Sequence, residues 1–417
     1  MQSEFIALPS IGALSLSFVV WKFFWSTYNR HINAKHARNC LPLPLPEKPA
    51  YFTTDVSLLV PTINTPASFT ECMKLWLANK PKEIIIVTVP RDLTWVKTLL
   101  APLKGVSTPI SVFTVPRPGR RAQMSLALRK ATGKIVAFVD DDTQWPSDMV
   151  LQYLVAGFQD PTVGGVTSRQ SALVPTPRRN ASTVTASEVM TMRALDGASD
   201  SNAILYAAEG TVMCVTGRTM VAKAEAVQTD EFDFALTHQT WNGRVINTGD
   251  DGFVTHWLRN HGWNLAFQSA PEAEIFTLTE SGSRFLKQLV RWRRSGFRDF
   301  IALICFEPGF RRIFKKHPRY AVKSVLFILK PLTTALHLIA WSQCLYNWPY
   351  IAFFFLAYYI YRGVSACRSF KAKHPWLGNR NLWAVFAMDY IYQIINFYVV
   401  LTLGTEGWMT RDDSPGV

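Results

Sequence analysis

The stretch from Pro331 to Tyr361 contains no Asp, Glu, Lys or Arg. A helix built from such a run is apolar all round, so it cannot sit on a water-soluble domain without exposing apolar surface. It is too long for one membrane crossing and is interrupted by Asn347 and Pro349. With the residues from Tyr320 it therefore reads as a helical hairpin. An apolar segment from about Phe5 to Trp25 is long enough to cross a hydrocarbon core of about 30 Å. A last one, Trp383 to Gly404, includes Asp389 and Asn396, which leaves open whether it spans the bilayer or lies along it. Lys330 and Asp389 lie within apolar stretches, where ionisable groups face a cavity or a partner, or else reach the interface.

The chain has 417 residues, is 48% hydrophobic with mean hydropathy +0.07, and carries a formal charge of +14 at a pI near 9.6. Such a charge suits either a nucleic-acid binder or a membrane protein with basic cytoplasmic flanks. The basic residues decide between them, because they crowd beside the apolar segments: Lys22, Arg30, Lys35 and Arg38; Arg311, Arg312, Lys315 and Lys316; Arg362, Arg368, Lys371, Lys373 and Arg380. The partner is thus a lipid membrane and not nucleic acid, with the central domain on the cytosolic side. The first segment lacks an early basic region and a small-residue cleavage site, so it reads as a retained anchor. Leu41 to Pro49 is a stiff proline-rich spacer. Six scattered cysteines have neither metal-ligand nor disulfide spacing and read as free thiols. The sequon at Asn180 is expected to go unused in the cytosol.

From about Asp55 the pattern changes. Val56 to Val60, Glu83 to Val89, Ile110 to Val115 and Lys134 to Val139 are short β-branched runs. Between them, Ala67 to Asn79, Asp92 to Leu100 and Arg121 to Ala131 have helical periodicity. The alternation predicts βαβ units on a mainly parallel sheet, with ligands bound beyond the carboxyl ends of the strands.

Three features carry chemistry. Asp140-Asp141-Asp142 follows the fourth predicted strand. Adjacent carboxylates repel one another unless a cation or basic groups neutralise them, so the triplet suits either Mg²⁺ or Mn²⁺ carrying a phosphorylated ligand, or an acidic loop capping the next helix. Asp250-Asp251 precedes a helical segment, where carboxylates are favoured by the dipole and can equally serve as a cap. Gln288-Leu-Val-Arg291-Trp292-Arg-Arg294 reads by itself as a basic amphipathic helix on the membrane surface.

In this order, and ahead of apolar spans, the three features resemble those of the processive family 2 glycosyltransferases. Within that group the resemblance is greatest to fungal hyaluronan-synthase-like, capsule-type polysaccharide synthases, over roughly Asp55 to Trp292. It implies a GT-A-like fold: a Rossmann-type, mainly parallel α/β domain in the cytosol, with transmembrane and interfacial helices. It implies that Asp140 and Asp142 hold the donor and a Mn²⁺ or Mg²⁺ ion, and that Asp251 is the general base supported by Asp250. Gln288, Arg291 and Trp292 then brace the donor diphosphate and the acceptor end, Arg120 and Arg121 lie near the nucleotide, and Thr216-Gly217 lies on the acceptor side. Two departures stand out. Thr88 sits where the family has an acid contacting the nucleobase, and Trp408-Met409-Thr410-Arg411 has Met where the family's gating segment has Gly.

The expected organisation is an anchor over 1–28, a linker over 29–50, the transferase domain over 51–280, interfacial helices over 281–318, apolar helices over 319–404 and a tail over 405–417. The expected activity is inverting, metal-dependent transfer from a UDP-sugar to a growing polysaccharide acceptor by an integral membrane protein, most naturally of the plasma membrane. Transfer to a lipid acceptor, or a degenerate subunit that assists assembly, are the alternatives.

Overall fold

A computed structural model of the chain describes residues 11–280, 282–307, 309–405 and 407. The expected Trp408–Arg411 segment lies outside them. The β-branched runs form a seven-stranded sheet: β1 (Val56–Pro61), β2 (Glu83–Thr88), β3 (Ile110–Thr114), β4 (Ile135–Val139), β5 (Val163–Ser168), β6 (Thr219–Lys223) and β7 (Asn264–Gln268). Their order is β7-β5-β6-β4-β1-β2-β3. Every neighbouring pair is parallel except those of β6, which runs antiparallel to both β4 and β5.

The alternation of side chains along a strand splits the core into two layers. Val56, Leu58 and Val60 point into one with Phe69, Trp76, Val96 and Leu154. Leu59 and Val87 point into the other with Met124, Phe232, Val254 and Leu258. Helices therefore cover both faces of the sheet, as continuous apolar strands require. Beyond the carboxyl end of β4, Thr143–Gln144 pairs with Ile275–Leu278, which pairs in turn with Gln170–Leu173.

The rest of the chain is helical. Ala186–Glu209 begins with a capping box, Thr185 with Glu188, and ends at Gly210 with φ +63°. Gly282–Ile301 carries the Gln288–Trp292 segment. Pro318–Ile328 bends by 67° into Lys330–Asn347, and Pro349–Lys373 and Leu382–Leu401 follow. Among the described residues, 349–373 and 379–401 are long and apolar enough to cross a membrane, and the bent pair would make a third.

The basic stretch from Arg362 to Arg380, whose charge suits a cytosolic loop, is instead helical as far as Lys373. The expected hairpin is present: Lys330–Asn347 turns at Trp348 into Pro349–Lys373, which packs back on it through His337 and Tyr359, and the residues from Tyr320 add the bent helix before it. Of the expected N-terminal span from Phe5 to Trp25, residues 5–10 lie outside the described residues; from Ile11 to Asn39 the chain is one helix. It packs sideways on the C-terminal helices, with Val19 among Ala340, Cys344, Ala352 and Phe355 and Phe23 edge-on to Tyr358 at 4.5 Å.

Candidate active site

The expected acids meet at a single arginine. Arg120 is the first residue of the helix Arg120–Lys130, directly after Gly119. It reaches Asp140 Oδ1 at 2.6 Å and Asp250 Oδ2 at 2.8 Å, and donates to the Gly217 carbonyl at 3.3 Å. Asp140 ends β4 and donates its own N–H to the Arg218 carbonyl. One guanidinium thereby ties together the strand end, the Gly217 loop and the amino end of the helix Asp250–Asn260. Each link is charge-assisted or made to backbone, which fixes geometry as well as charge.

The triplet separates into different environments. Asp141 is buried and accepts from the Thr62 hydroxyl at 2.5 Å, whereas Asp142 is half-buried and lines the cavity. Among the described residues no three His, Cys, Asp or Glu side chains converge on one point. Asp140 and Asp142 can therefore supply only part of a cation's shell. That suits an ion whose other positions are filled by phosphate oxygens and water.

Asp250 and Asp251 occupy the first turn of their helix, where exposed N–H groups and the dipole favour negative charge. Burial raises the Asp250 carboxyl, but the Arg120 guanidinium, with Arg121 behind it, holds it below the usual carboxylate range. Asp251 goes the other way: burial and then the Asp250 charge raise it, although its Oδ1 accepts the Gly252 N–H at 2.9 Å. Two adjacent acids are thus driven apart in acidity, which divides an anion fixed in an ion pair from an acid able to exchange a proton.

Gln288, Arg291 and Trp292 share one face of Gly282–Ile301 and close the other side of the cavity. Gln288 Oε1 is buried without a hydrogen-bond partner, so an acceptor atom is kept desolvated for something that enters. Burial lowers Arg291 to about 10, still cationic at neutral pH. Arg218 stacks over the Trp292 ring at 4.9 Å. Thr216 and Gly217 line the same space, and a methyl at Gly217 would stand 3.6 Å from Asp251 Cβ. The cavity measures 820 Å³ and runs from Asp142 past Asp251 to Lys330 and Asp389.

Arg121 is placed otherwise than its neighbour. It turns into the core, donates to the carbonyls of Leu236, Thr248 and Gly249, and does not line the cavity. Its placement supports the loop before Asp250 rather than a bound nucleotide. Thr88 is fully buried at the end of β2. Arg218 completes the Thr216-Gly217-Arg218 segment that the resemblance puts on the acceptor side. Sequence reasoning missed Asp299, which stands seven residues after Trp292 on one helix and so shares its face.

This fold and site define a glycosyltransferase. The chain belongs to the glycosyltransferase-like family 2, whose pattern matches residues 54–295. It is 36% identical over 391 residues to the NDP-glycosyltransferase ltbB of Aspergillus luteorubrus, covering 93% of this chain and 95% of that one. It is 28% identical to a type 2 glycosyltransferase of Zymoseptoria tritici, covering 95% and 85% respectively. Its fold is shared with the mannosyltransferase PcManGT of Pyrobaculum calidifontis, solved with GDP-Man and Mn²⁺, at a TM-score of 0.59 and 16% identity over 92% of this chain and 98% of that one. The GT-A fold follows from that likeness.

Proposed function

We propose that the chain transfers a sugar, with inversion, from a UDP-sugar to a hydroxyl of a growing polysaccharide at the cytosolic face of a membrane, the plasma membrane being the expected one. The observation that carries this reading is the bridge from Arg120 to Asp140 and Asp250, in one cavity with Asp251, Gln288, Arg291 and Trp292. The ltbB relative is named for a nucleoside-diphosphate donor, which agrees with it.

In this reading Asp140 and Asp142 face the donor, and Asp251 accepts the proton of the attacking hydroxyl as the new glycosidic bond forms. Asp250 stays ionised on Arg120 and so cannot take that proton first. As the bond from the anomeric carbon to the diphosphate breaks, negative charge develops on the leaving group, where Arg291 and the Gln288 amide stand ready to stabilise it. A Mn²⁺ or Mg²⁺ ion held by Asp142 and Asp140 would neutralise part of that charge when bound. Trp292, stiffened by Arg218, offers a flat face to the acceptor sugar.

A lipid-borne acceptor is the second reading. It is favoured by the cavity's far end, where Lys330 and Asp389 lie on helices apolar enough to meet lipid. Product size separates the two: long polymer supports the first, single-sugar glycolipid the second.

The test is nucleotide release by detergent-purified protein across a panel of UDP-sugars, with Mn²⁺ or with EDTA. We expect release with one or two donors, its loss in EDTA, and a fall of about 10²–10⁴-fold in Asp251→Asn. Release that ignores Asp251→Asn would remove that residue as the base.

A further inference from the structure

A third carboxyl stands beside the acid pair. Asp299 is almost fully buried on the helix Gly282–Ile301, seven residues beyond Trp292, and lines the same cavity. This face of the helix approaches the backbone of the acid pair more closely than ordinary side chains allow. A methyl group at Gly249, which has φ +70°, would lie 3.1 Å from Ser295 Cβ, and a side chain at Gly252 would collide with the Asp299 carboxyl itself. The glycines that flank Asp250-Asp251 thus leave a seat, and Asp299 fills the part of it at Gly252.

We propose that Asp299 is a positioning residue for Asp251: its carboxyl, seated where Gly252 lacks a side chain, locks the Gly249–Gly252 turn against the Gln288–Trp292 face and so fixes where Asp251 meets the acceptor. The proposal rests on the reading of Asp251 as the base. The charges around Asp299 agree with it. Burial and the Asp251 carboxylate push its pKa well above the usual carboxylate range, with Glu307 adding to the rise and Arg121 and Arg298 opposing it. Cys214, in the loop before Thr216, faces it as well and is raised in turn. That direction favours the neutral carboxyl over a third negative charge beside the base, but the contact at Gly252 is what seats it.

The test compares Asp299→Ala with Asp299→Asn in full-length, detergent-purified protein. The readouts are kcat, donor KM and the acid limb of the pH–kcat profile. For Asp299→Ala we expect kcat to fall about 10–100-fold with donor KM within about threefold, because a misplaced base costs rate rather than donor binding. We also expect the acid limb to move to lower pH, as water enters and relieves the burial that raises Asp251. Asn, equal in shape, is expected to recover most of the lost kcat and to leave the limb in place. Loss of folded protein alone would lower activity without moving the limb.

Wild-type kcat and limb in Asp299→Ala overturn the proposal, as does an Asn variant impaired as deeply as Ala. If Asp299→Ala does not fold, Gly252→Ala drives the carboxyl from its seat while keeping it, and an unchanged kcat there has the same force. Nucleotide release insensitive to Asp251→Asn would instead sink the base assignment itself, so the two failures are distinguishable.

Discussion

The sheet domain and the C-terminal helices of this chain place their apolar residues in opposite ways. In the sheet domain Trp76, Phe138, Phe158 and Phe232 are fully buried between strands and covering helices. In Pro349–Lys373 one face turns large side chains outward, with Tyr350 89% exposed and Phe354 62%, while Ala352 and Phe355 are buried on the other. The first arrangement hides apolar surface from water, and the second presents it to a medium as apolar as itself. The cavity joins the two regions. Asp140, Asp142, Asp250 and Asp251 come from the sheet domain, Gln288, Trp292 and Asp299 from the joining helix, and Lys330 and Asp389 from the apolar helices.

The largest test of this contrast is at the bridge. Arg120→Met leaves Asp140 and Asp250 facing each other without their shared cation. We expect a loss of about 3–5 kcal/mol in unfolding free energy, measured by denaturant titration of the detergent-purified protein, and activity below detection. Stability within 1 kcal/mol of wild type would mean that the acids are held by something else.

The contrast itself breaks or holds at a matched pair of aromatics. Trp76→Ala empties a fully buried site and should destabilise by about 3–5 kcal/mol. Phe354→Ala, on the outward face of its helix, should stay within about 0.5 kcal/mol in detergent or lipid. Equal costs would mean that the outer face is packed by protein and not by lipid.

The pH dependence sharpens the division within the acid pair. If Asp251 is the base, it works as a carboxylate, and because its folded pKa is raised, activity should fall on acidification at a pH above the ordinary Asp value of about 3.9. In Asp250→Asn the neighbouring charge that helps raise Asp251 is gone, so residual activity should show its acid limb at lower pH. A limb that rises or stays in place would show that burial alone sets it. Stability should follow the opposite signs of the two shifts. Asp250, depressed by Arg120, contributes stability that is present above its unfolded pKa and lost as pH falls through the folded one. Asp251, raised, contributes stability at low pH that fades as pH rises through its folded value. The smallest effect is expected at Arg193 and Asp389, paired at 3.1 Å but half exposed. Asp389→Asn should change stability by less than about 1 kcal/mol.

Much of this site was legible from local signals. Asp140, Asp250 and Asp251 stand where a strand ends or a helix begins, and Gln288, Arg291 and Trp292 share a helical face, so short-range periodicity locates them. Arg120 and Arg121 were equivalent by the same signals, yet one holds two carboxylates and the other three core carbonyls. Asp299 was legible only as a residue on the Trp292 face of its helix; that it meets the acid pair depends on Gly249 and Gly252, in another segment of the chain.

The sequence alone determined the alternation that makes a mainly parallel sheet, the positions of its acidic strand end and helix start, and the apolar C-terminal segments. These follow from backbone periodicity and from the cost of burying or exposing side chains, which act between near neighbours. Only the tertiary structure decided which cation neutralises which acid, which of two adjacent aspartates is raised, and which carboxyl fills the space at Gly252. Each of these depends on distances between segments from about twenty to more than a hundred residues apart, or on the exclusion of water from between them, and neither exists until the chain has folded.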